Sequence, residues 1–263
     1  MPPMIWNVQP EIFSFSPVPR WYSLCFAIGI ILGHAITRRM IPTEKLNEEE
    51  YNSGFVYVLM GMMIGMRLGH CLFYQPEYYF ERPWEIPMIW QGGYASHGGF
   101  FGVFIAVFLF LRKHPKLNLL WLLDRVVVGC ACVAGWIRIG NFFNSEMIGR
   151  ESTAPWAVTF SQIDQIPRHP TQIYEAIGYF VICALGWALF KRTKITDVNG
   201  RLFGVILILA AIWRIFCEFF KIEQVDFERG MFLNMGQILS VPFAIVGIWL
   251  LFRKTSAATT ARG

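Results

Sequence analysis

Between Arg138 and Gly149 the sequence RIGNFFNSEMIG sets a guanidinium, the amides of Asn141 and Asn144 and the carboxylate of Glu146 in one short segment at the end of an apolar run. No packing requirement asks for that density of polar groups there. Other ionisable residues sit at the ends of other apolar runs: Arg67 and His70, then His97, then Arg214 and Glu218. A charged side chain at a bilayer centre costs roughly 2.5–3.5 kcal/mol on insertion scales, so groups kept inside such runs are functional candidates by default. Arg67, Arg138 and Arg214 outnumber the acids beside them, and a buried guanidinium needs an anion. A lipid phosphate would supply one.

Arg214 and Glu218 are one helical turn apart and share a face, so they either pair with each other as a structural bridge or leave the arginine oriented toward a ligand. His97 stands in GGYASHGGFFG, followed by Gly98 and Gly99, where a backbone without side chains permits close approach. With an ordinary pKa near ~6.5, its imidazole is suited to take a proton at neutral pH.

The elements that must position these groups follow from composition. Of 263 residues, 55% are hydrophobic and 16% charged, against about 25% charged in an ordinary soluble domain. The apolar residues come in long runs, as needed to cross a hydrocarbon core ~30 Å thick. Spans are expected at Trp21–Ile36, Gly54–Phe73, His97–Leu111, Leu119–Ile139, Gln172–Phe190, Leu202–Phe220 and Gly236–Phe252. Barrel strands would be about 10 residues long and alternate in polarity, which these do not. The expected fold is an all-α, polytopic membrane helical bundle of about seven transmembrane helices, a single integral membrane domain over residues 1–263. The first run lacks a basic stretch ahead of it and is read as a span, not a removable signal peptide.

Lys and Arg in the short connections set the orientation. Arg38, Arg39, Lys45, Arg112, Lys113, Lys116, Lys191, Arg192, Lys194, Arg201, Arg253, Lys254 and Arg262 fall on one side, against Arg20, Arg82, Arg150, Arg168, Lys221 and Arg229 on the other. The N-terminus is therefore expected outside and the C-terminus in the cytoplasm. The net charge of +5 is accounted for by these loops and calls for no nucleic acid. Outer loops 74–96 and 140–171 are expected to form a cap, the first rich in Tyr, Trp and Pro suited to the headgroup level, the second able to carry short strands. Cys25, Cys71, Cys130, Cys132, Cys183 and Cys217 lie in or at the edges of spans, with no CxxC or His-rich ligand spacing. They are read as small packing residues, with neither disulfide, metal nor cofactor implied. Gly29 and Gly33, and Gly61, Gly65 and Gly69, form small faces for close helix approach.

At these residues the chain resembles the bacterial prolipoprotein diacylglyceryl transferases. The family signature R-x-G-N-F-x-N-x-E-x-x-G is complete from Arg138 to Gly149. Around it, in the family's order, stand PRWYSLCF with Tyr22, GMRLGHCLFY with Arg67, HGG at His97, HPTQIYE from His169 to Glu175, RIFCEFF with Arg214 and Glu218, and MGQILSVP from Met235 to Pro242. Ile137 replaces a glycine expected before the signature arginine, and His70 an aromatic residue; neither touches the implied chemistry.

The resemblance implies a multi-pass protein of the bacterial cytoplasmic (inner) membrane. It implies a reaction that moves the sn-1,2-diacylglyceryl group of phosphatidylglycerol to the lipobox cysteine thiol of a preprolipoprotein signal peptide, forming a thioether and releasing glycerol phosphate. It further implies Arg138 and Arg214 at the phosphate, with Glu218 orienting Arg214. Asn141, Asn144 and Glu146 would hold the headgroup and the signature loop, and Gly149 would allow its turn. His97, beside Gly98, would be the general base, with an arginine as base partner the alternative. Tyr22, Arg67, His169 and Glu175 would support the substrate site. A carrier would betray repeated broken helices, which are not seen, and span seven holds no lysine for a retinal Schiff base. Within enzymes, the competing reading is another lipid phosphate transferase or phosphatase.

Overall fold

Lipid offers a peptide group no hydrogen-bonding partner, so an apolar run that enters it must satisfy its own N–H and C=O groups, and a helix does so within one segment. The computed structural model describes residues 3–13, 16–88, 93, 95–222 and 234–253, with the side chains of 16–18, 96, 97 and 235 outside the description. Every expected span falls on a helix: α1 Trp21–Met40, α2 Glu48–Phe73, α4 Ser96–Lys113, α5 Leu119–Phe143, α6 Thr171–Arg192, α7 Arg201–Glu218 and α8 Met235–Phe252, with a short α3 at Pro76–Glu81. Among the described residues, α1, α2, α5 and α6 are long and apolar enough to cross a membrane.

α2 begins earlier than hydrophobicity alone suggests, because Asn47 and Glu50 form a capping box in which each side chain accepts from the other's backbone N–H at 2.9 Å. The first, acidic turn of this helix thus precedes its apolar part. α8 starts on a second capping box, between Asn234 and Gln237.

The chain divides into two compact units, one of residues 1–40 and 120–263, the other of residues 41–119. In the second, α2 and α4 meet along facing glycines. A Cβ on Gly61 would stand 2.5 Å from the Gly102 carbonyl, and one on Gly65 would stand 2.2 Å from that of Gly98. The expected small face of α2 is therefore a backbone-to-backbone contact. Arg67 is buried here and donates through Nε to Ile86 O at 2.9 Å and through Nη2 to Glu85 O at 2.7 Å, with its guanidinium 5.1 Å from the Tyr79 ring centre. It fastens the loop after α3 to α2.

In the first unit, Gly33 of α1 meets Gly129 of α5, the Trp213 indole of α7 covers Gly178 of α6, and Gly204 of α7 meets Gly247 of α8. α7 has no cap of its own, because Gly200 supplies no side chain. The fully buried Asp124 of α5 takes that role, accepting from Gly200 N at 2.6 Å and Phe203 N at 2.8 Å.

Beyond the helices the fold adds short strands. β1 (Met4–Trp6) pairs parallel with β4 (Val158–Phe160), which pairs antiparallel with β5 (Pro167–Arg168), while β2 (Glu11–Phe13) and β3 (Ser16–Arg20) form a hairpin. Strands in the segment before α6 were expected; the N-terminal partner strand was not. Phe142, Ile148, Val158 and Phe160 form a small core beneath, joined by Trp6 and Ile173, and Trp21 stacks on Phe143 at 5.1 Å. This core seats the segment that follows α5.

Replacing Gly65 with Ile should force α2 and α4 apart, since its Cβ would meet the backbone of Gly98 and Gly102. The expected loss is about 1–3 kcal/mol, read as a lowered thermal midpoint in detergent micelles. Met63→Ala, on an exposed position of the same helix, should stay within about 0.5 kcal/mol of the parent; equal midpoints for the two variants would contradict the contact.

Candidate active site

Five helix ends converge at one end of the first unit. Arg138 and Asn141 lie in the last turns of α5, Glu175 in the first turns of α6, Arg214 and Glu218 in the last of α7, Asn234 caps α8, and Tyr22 at the start of α1 packs against Gly140. Their side chains form one ionic chain. Arg138 Nε stands 3.1 Å from Glu175 Oε2, off the hydrogen-bonding direction. Glu175 Oε1 takes Lys221 Nζ at 3.0 Å, Lys221 reaches Glu218 Oε1 at 2.9 Å, and Arg214 Nε lies 4.0 Å from that same oxygen.

Burial differs sharply along this chain. Glu175 is fully buried, Lys221 and Glu218 nearly so, while the Arg214 side chain is 38% exposed. Three cations thus face two buried carboxylates. Lys221 is neutralised from both sides, whereas Arg214 has the loosest contact and its Nε makes no hydrogen bond among the described residues.

Glu218 has further ties. Its Oε2 accepts from Asn234 Nδ2 at 3.1 Å, and a Cβ on Gly236 would stand 2.4 Å from its carboxyl group. Glycine there lets the start of α8 close on the carboxylate, where the positive end of the helix dipole favours it.

A second polar group joins the first through Asn141. Arg138 Nη1 donates to Asn141 Oδ1 at 3.2 Å, Asn141 Nδ2 donates to Glu146 Oε2 at 2.9 Å, and Asn144 Nδ2 donates to Glu146 Oε1 at 3.1 Å. The Glu146 carboxylate is thereby aimed by two amides while remaining exposed. The loop bearing it turns through Ser145 and Met147, both at φ 55°, and closes where Gly149 N donates to His169 O at 3.1 Å and Arg150 N donates to Phe220 O at 2.8 Å. Arg150 Nε adds a bond to Lys221 O at 2.9 Å, so the loop is tied to the residue that bridges the ionic chain.

The chemistry of these groups suits an anion. The site offers two guanidinium groups with spare donors at the ends of one buried network, and a carboxylate and two amides suited to hydroxyl groups. A family model described as prolipoprotein diacylglyceryl transferase matches residues 10–253. Relatives named phosphatidylglycerol–prolipoprotein diacylglyceryl transferase include that of Tolumonas auensis, 42% identical over 94% of this chain and 96% of its own. That of Chloroherpeton thalassium is 40% identical over 97% and 96%, and that of Porphyromonas gingivalis 41% identical over 98% and 96%. The chain belongs to this family.

Of the residues expected at the site, Tyr22, Arg138, Asn141, Asn144, Glu146, Gly149, His169, Glu175, Arg214 and Glu218 all lie in the first unit and share this end of it. Arg67, His97 and Gly98 belong to the second unit. His97 is in the first turn of α4 and its side chain lies outside the described residues. The open face expected beside Gly98 is filled by α2, since a Cβ there would stand 2.1 Å from the Gly65 carbonyl.

Two expectations change in their reason. Gly149 was expected to permit the turn, but the left-handed residues of the loop are Ser145 and Met147. Gly149 instead lets two backbones close in, as a Cβ would meet His169 O at 2.4 Å and Phe220 O at 2.8 Å. Glu218 was expected to orient Arg214, yet its closest cation is Lys221. His169 takes a supporting place: its Nδ1 is 3.0 Å from the Tyr174 hydroxyl, which accepts from Trp156 Nε1 at 2.7 Å.

Lys221 was missed. In sequence it reads as one more loop charge, although its position three residues after Glu218 was the available signal. Lys221→Met should leave the Glu175–Glu218 pair without its shared cation and lower stability by about 3–5 kcal/mol. Adding Glu175→Gln to that variant should recover part of the loss, as measured by thermal unfolding in micelles. Additive losses would mean that the two residues do not interact.

Proposed function

We propose that this protein transfers the sn-1,2-diacylglyceryl group of phosphatidylglycerol to the lipobox cysteine thiol of a preprolipoprotein, the first step of lipoprotein maturation. The proposal places it in the bacterial cytoplasmic membrane with seven spans, the N-terminus outside and the C-terminus inside, on the strength of the seven apolar runs and the Lys and Arg distribution. The supporting observation is the convergence of Arg138 and Arg214 on one buried network, together with the names of the relatives.

In the proposed reaction the thiol loses its proton to a base, sulfur bonds to the terminal glyceryl carbon, and the bond from that carbon to the phosphate oxygen breaks. The electron pair leaves on the phosphate of glycerol phosphate, where charge grows. Arg138 and Arg214 stabilise that charge, because fixed donors aimed at a developing anion in a water-poor site are worth more than the same donors in water. Asn141, Asn144 and Glu146 hold the hydroxyl groups of the departing glycerol, and Tyr22 lines the same end. Arg67 has a supporting role, holding the loop after α3 through Glu85 O and Ile86 O.

His97 is the proposed base, as the thiol has an ordinary pKa of ~8.5 and attacks as thiolate. The nucleophilic sulfur belongs to the substrate, so none of this chain's cysteines is needed.

Purified protein in micelles, given phosphatidylglycerol and a lipobox peptide, should release glycerol phosphate only when the peptide carries its cysteine. Release without peptide would favour a phosphodiesterase, and no release would refute the transfer. Arg138→Ala and His97→Gln should each lower the rate by at least about 10²-fold while the protein remains folded and inserted; an unchanged rate in either would remove that residue from the mechanism.

A further inference from the structure

The signature loop combines two features that do not persist together by chance. Ser145 and Met147 are L-residues held in the left-handed region, a conformation that survives only where the surroundings over-determine it. Between them stands Glu146, whose carboxylate must keep its direction if Asn141 and Asn144 are to aim it. Ser145 N donates to Phe142 O at 3.1 Å and Glu146 N to Asn141 O at 2.9 Å, and further bonds come from the start of α6 and the residues just before it. Thr171 Oγ1 donates to Met147 O at 2.7 Å, Gln172 Nε2 donates to Glu146 O, and Gly149 N donates to His169 O at 3.1 Å.

Thr171 and Gln172 are both fully buried. The orientation of the Gln172 amide is dictated by its target, since a peptide carbonyl only accepts and the amide must present its NH2 group. Two consecutive side chains of one helix thus grip two consecutive carbonyls of a strained loop.

We infer that Thr171 and Gln172 are positioning residues that lock the signature loop in its left-handed form and thereby fix the Glu146 carboxylate for the diacylglyceryl acceptor reaction. The inference rests on the transfer reading above. Neither residue touches substrate; each acts through the backbone of Glu146 and Met147. The grip sits at the N-terminus of α6, four and three residues ahead of Glu175, so one helix end sets both the loop and the ionic chain.

The test uses the full-length protein in micelles. Thr171→Val and Gln172→Met should each lower kcat at least about tenfold with a smaller change in KM for phosphatidylglycerol, and Thr171→Ser, which keeps the donor, should restore most of it. Met147→Gly, which accepts the left-handed conformation without strain, should recover much of the kcat lost in Thr171→Val. A role confined to stability predicts no such recovery. Without substrate, hydrogen exchange at the Glu146 and Gly149 amides should quicken in Thr171→Val and Gln172→Met. Unchanged exchange together with kcat within twofold of the parent would overturn the inference. Quickened exchange with no transfer by any form, the parent included, would uphold the grip and refute the transfer reading instead.

Discussion

The arrangement at the active end depends on placing five charged side chains where water is scarce. Removing an ion from water costs several kcal/mol even after relaxation, and attraction to a partner offsets this only if geometry and hydrogen bonding are good. Lys221 meets that condition by standing 3.0 Å from Glu175 and 2.9 Å from Glu218. Because these carboxylates come from different helices, α6 and α7, the ammonium group is also a mechanical tie between them. The ends of α5, α7 and α8 are brought to the same point by Arg138, Arg214 and Asn234. Conformational precision here comes from charge, while the helices behind it come together through glycine and indole contacts.

Those two modes of association work side by side in the first unit. Along their faces, helices approach through positions without side chains, as at Gly33 and Gly129 or Gly204 and Gly247, because lipid gives apolar side chains no reason to prefer one another over acyl chains. Toward the ends, polar groups supply direction. Asp124 caps α7 from α5 at one end, and the ionic chain joins the other ends of these same helices. α5 and α7 are therefore held at both termini by specific bonds, which limits sliding or rotation of Arg138 relative to Arg214.

How much of this was legible in the sequence depended on the range of the interaction. Apolar runs located the helices, since a span is a local property of about twenty residues. The glycine faces of α1 and α2 were visible from their four-residue spacing, although their partners on α5 and α4 were not. The signature residues were recognisable as chemistry because lipid should have excluded them. What could not be read required contacts across the chain: Asp124 capping a helix that begins at Arg201, β1 pairing with a strand that begins at Val158, and Lys221 shared between Glu175 and Glu218. Lys221 shows the difficulty most clearly. A lysine just beyond a span satisfies the statistics of loop charge, and only the neighbouring helix reveals that it is buried. Gly149 failed differently, because glycine in a loop suggests a positive φ, whereas here the missing side chain makes room for two carbonyl groups.

The distribution of partners along the ionic chain bears on how an anion would be received under the proposed reaction. If the two arginines were each matched to a carboxylate at close range, a phosphate would have to break those bonds before gaining any, and the exchange would give little net stabilisation. Lys221 limits this by occupying Glu175 Oε1 and Glu218 Oε1, which leaves Glu175 Oε2 as the carboxylate oxygen nearest Arg138. Arg138 is left with an angled contact to Glu175, and Arg214 with a distant one to Glu218. Both guanidinium groups thus stay oriented while retaining donors for a ligand. On the proposed reading, the buried lysine keeps the carboxylates from saturating the arginines, and the third cation gives the network the unmatched positive charge that a leaving phosphate requires.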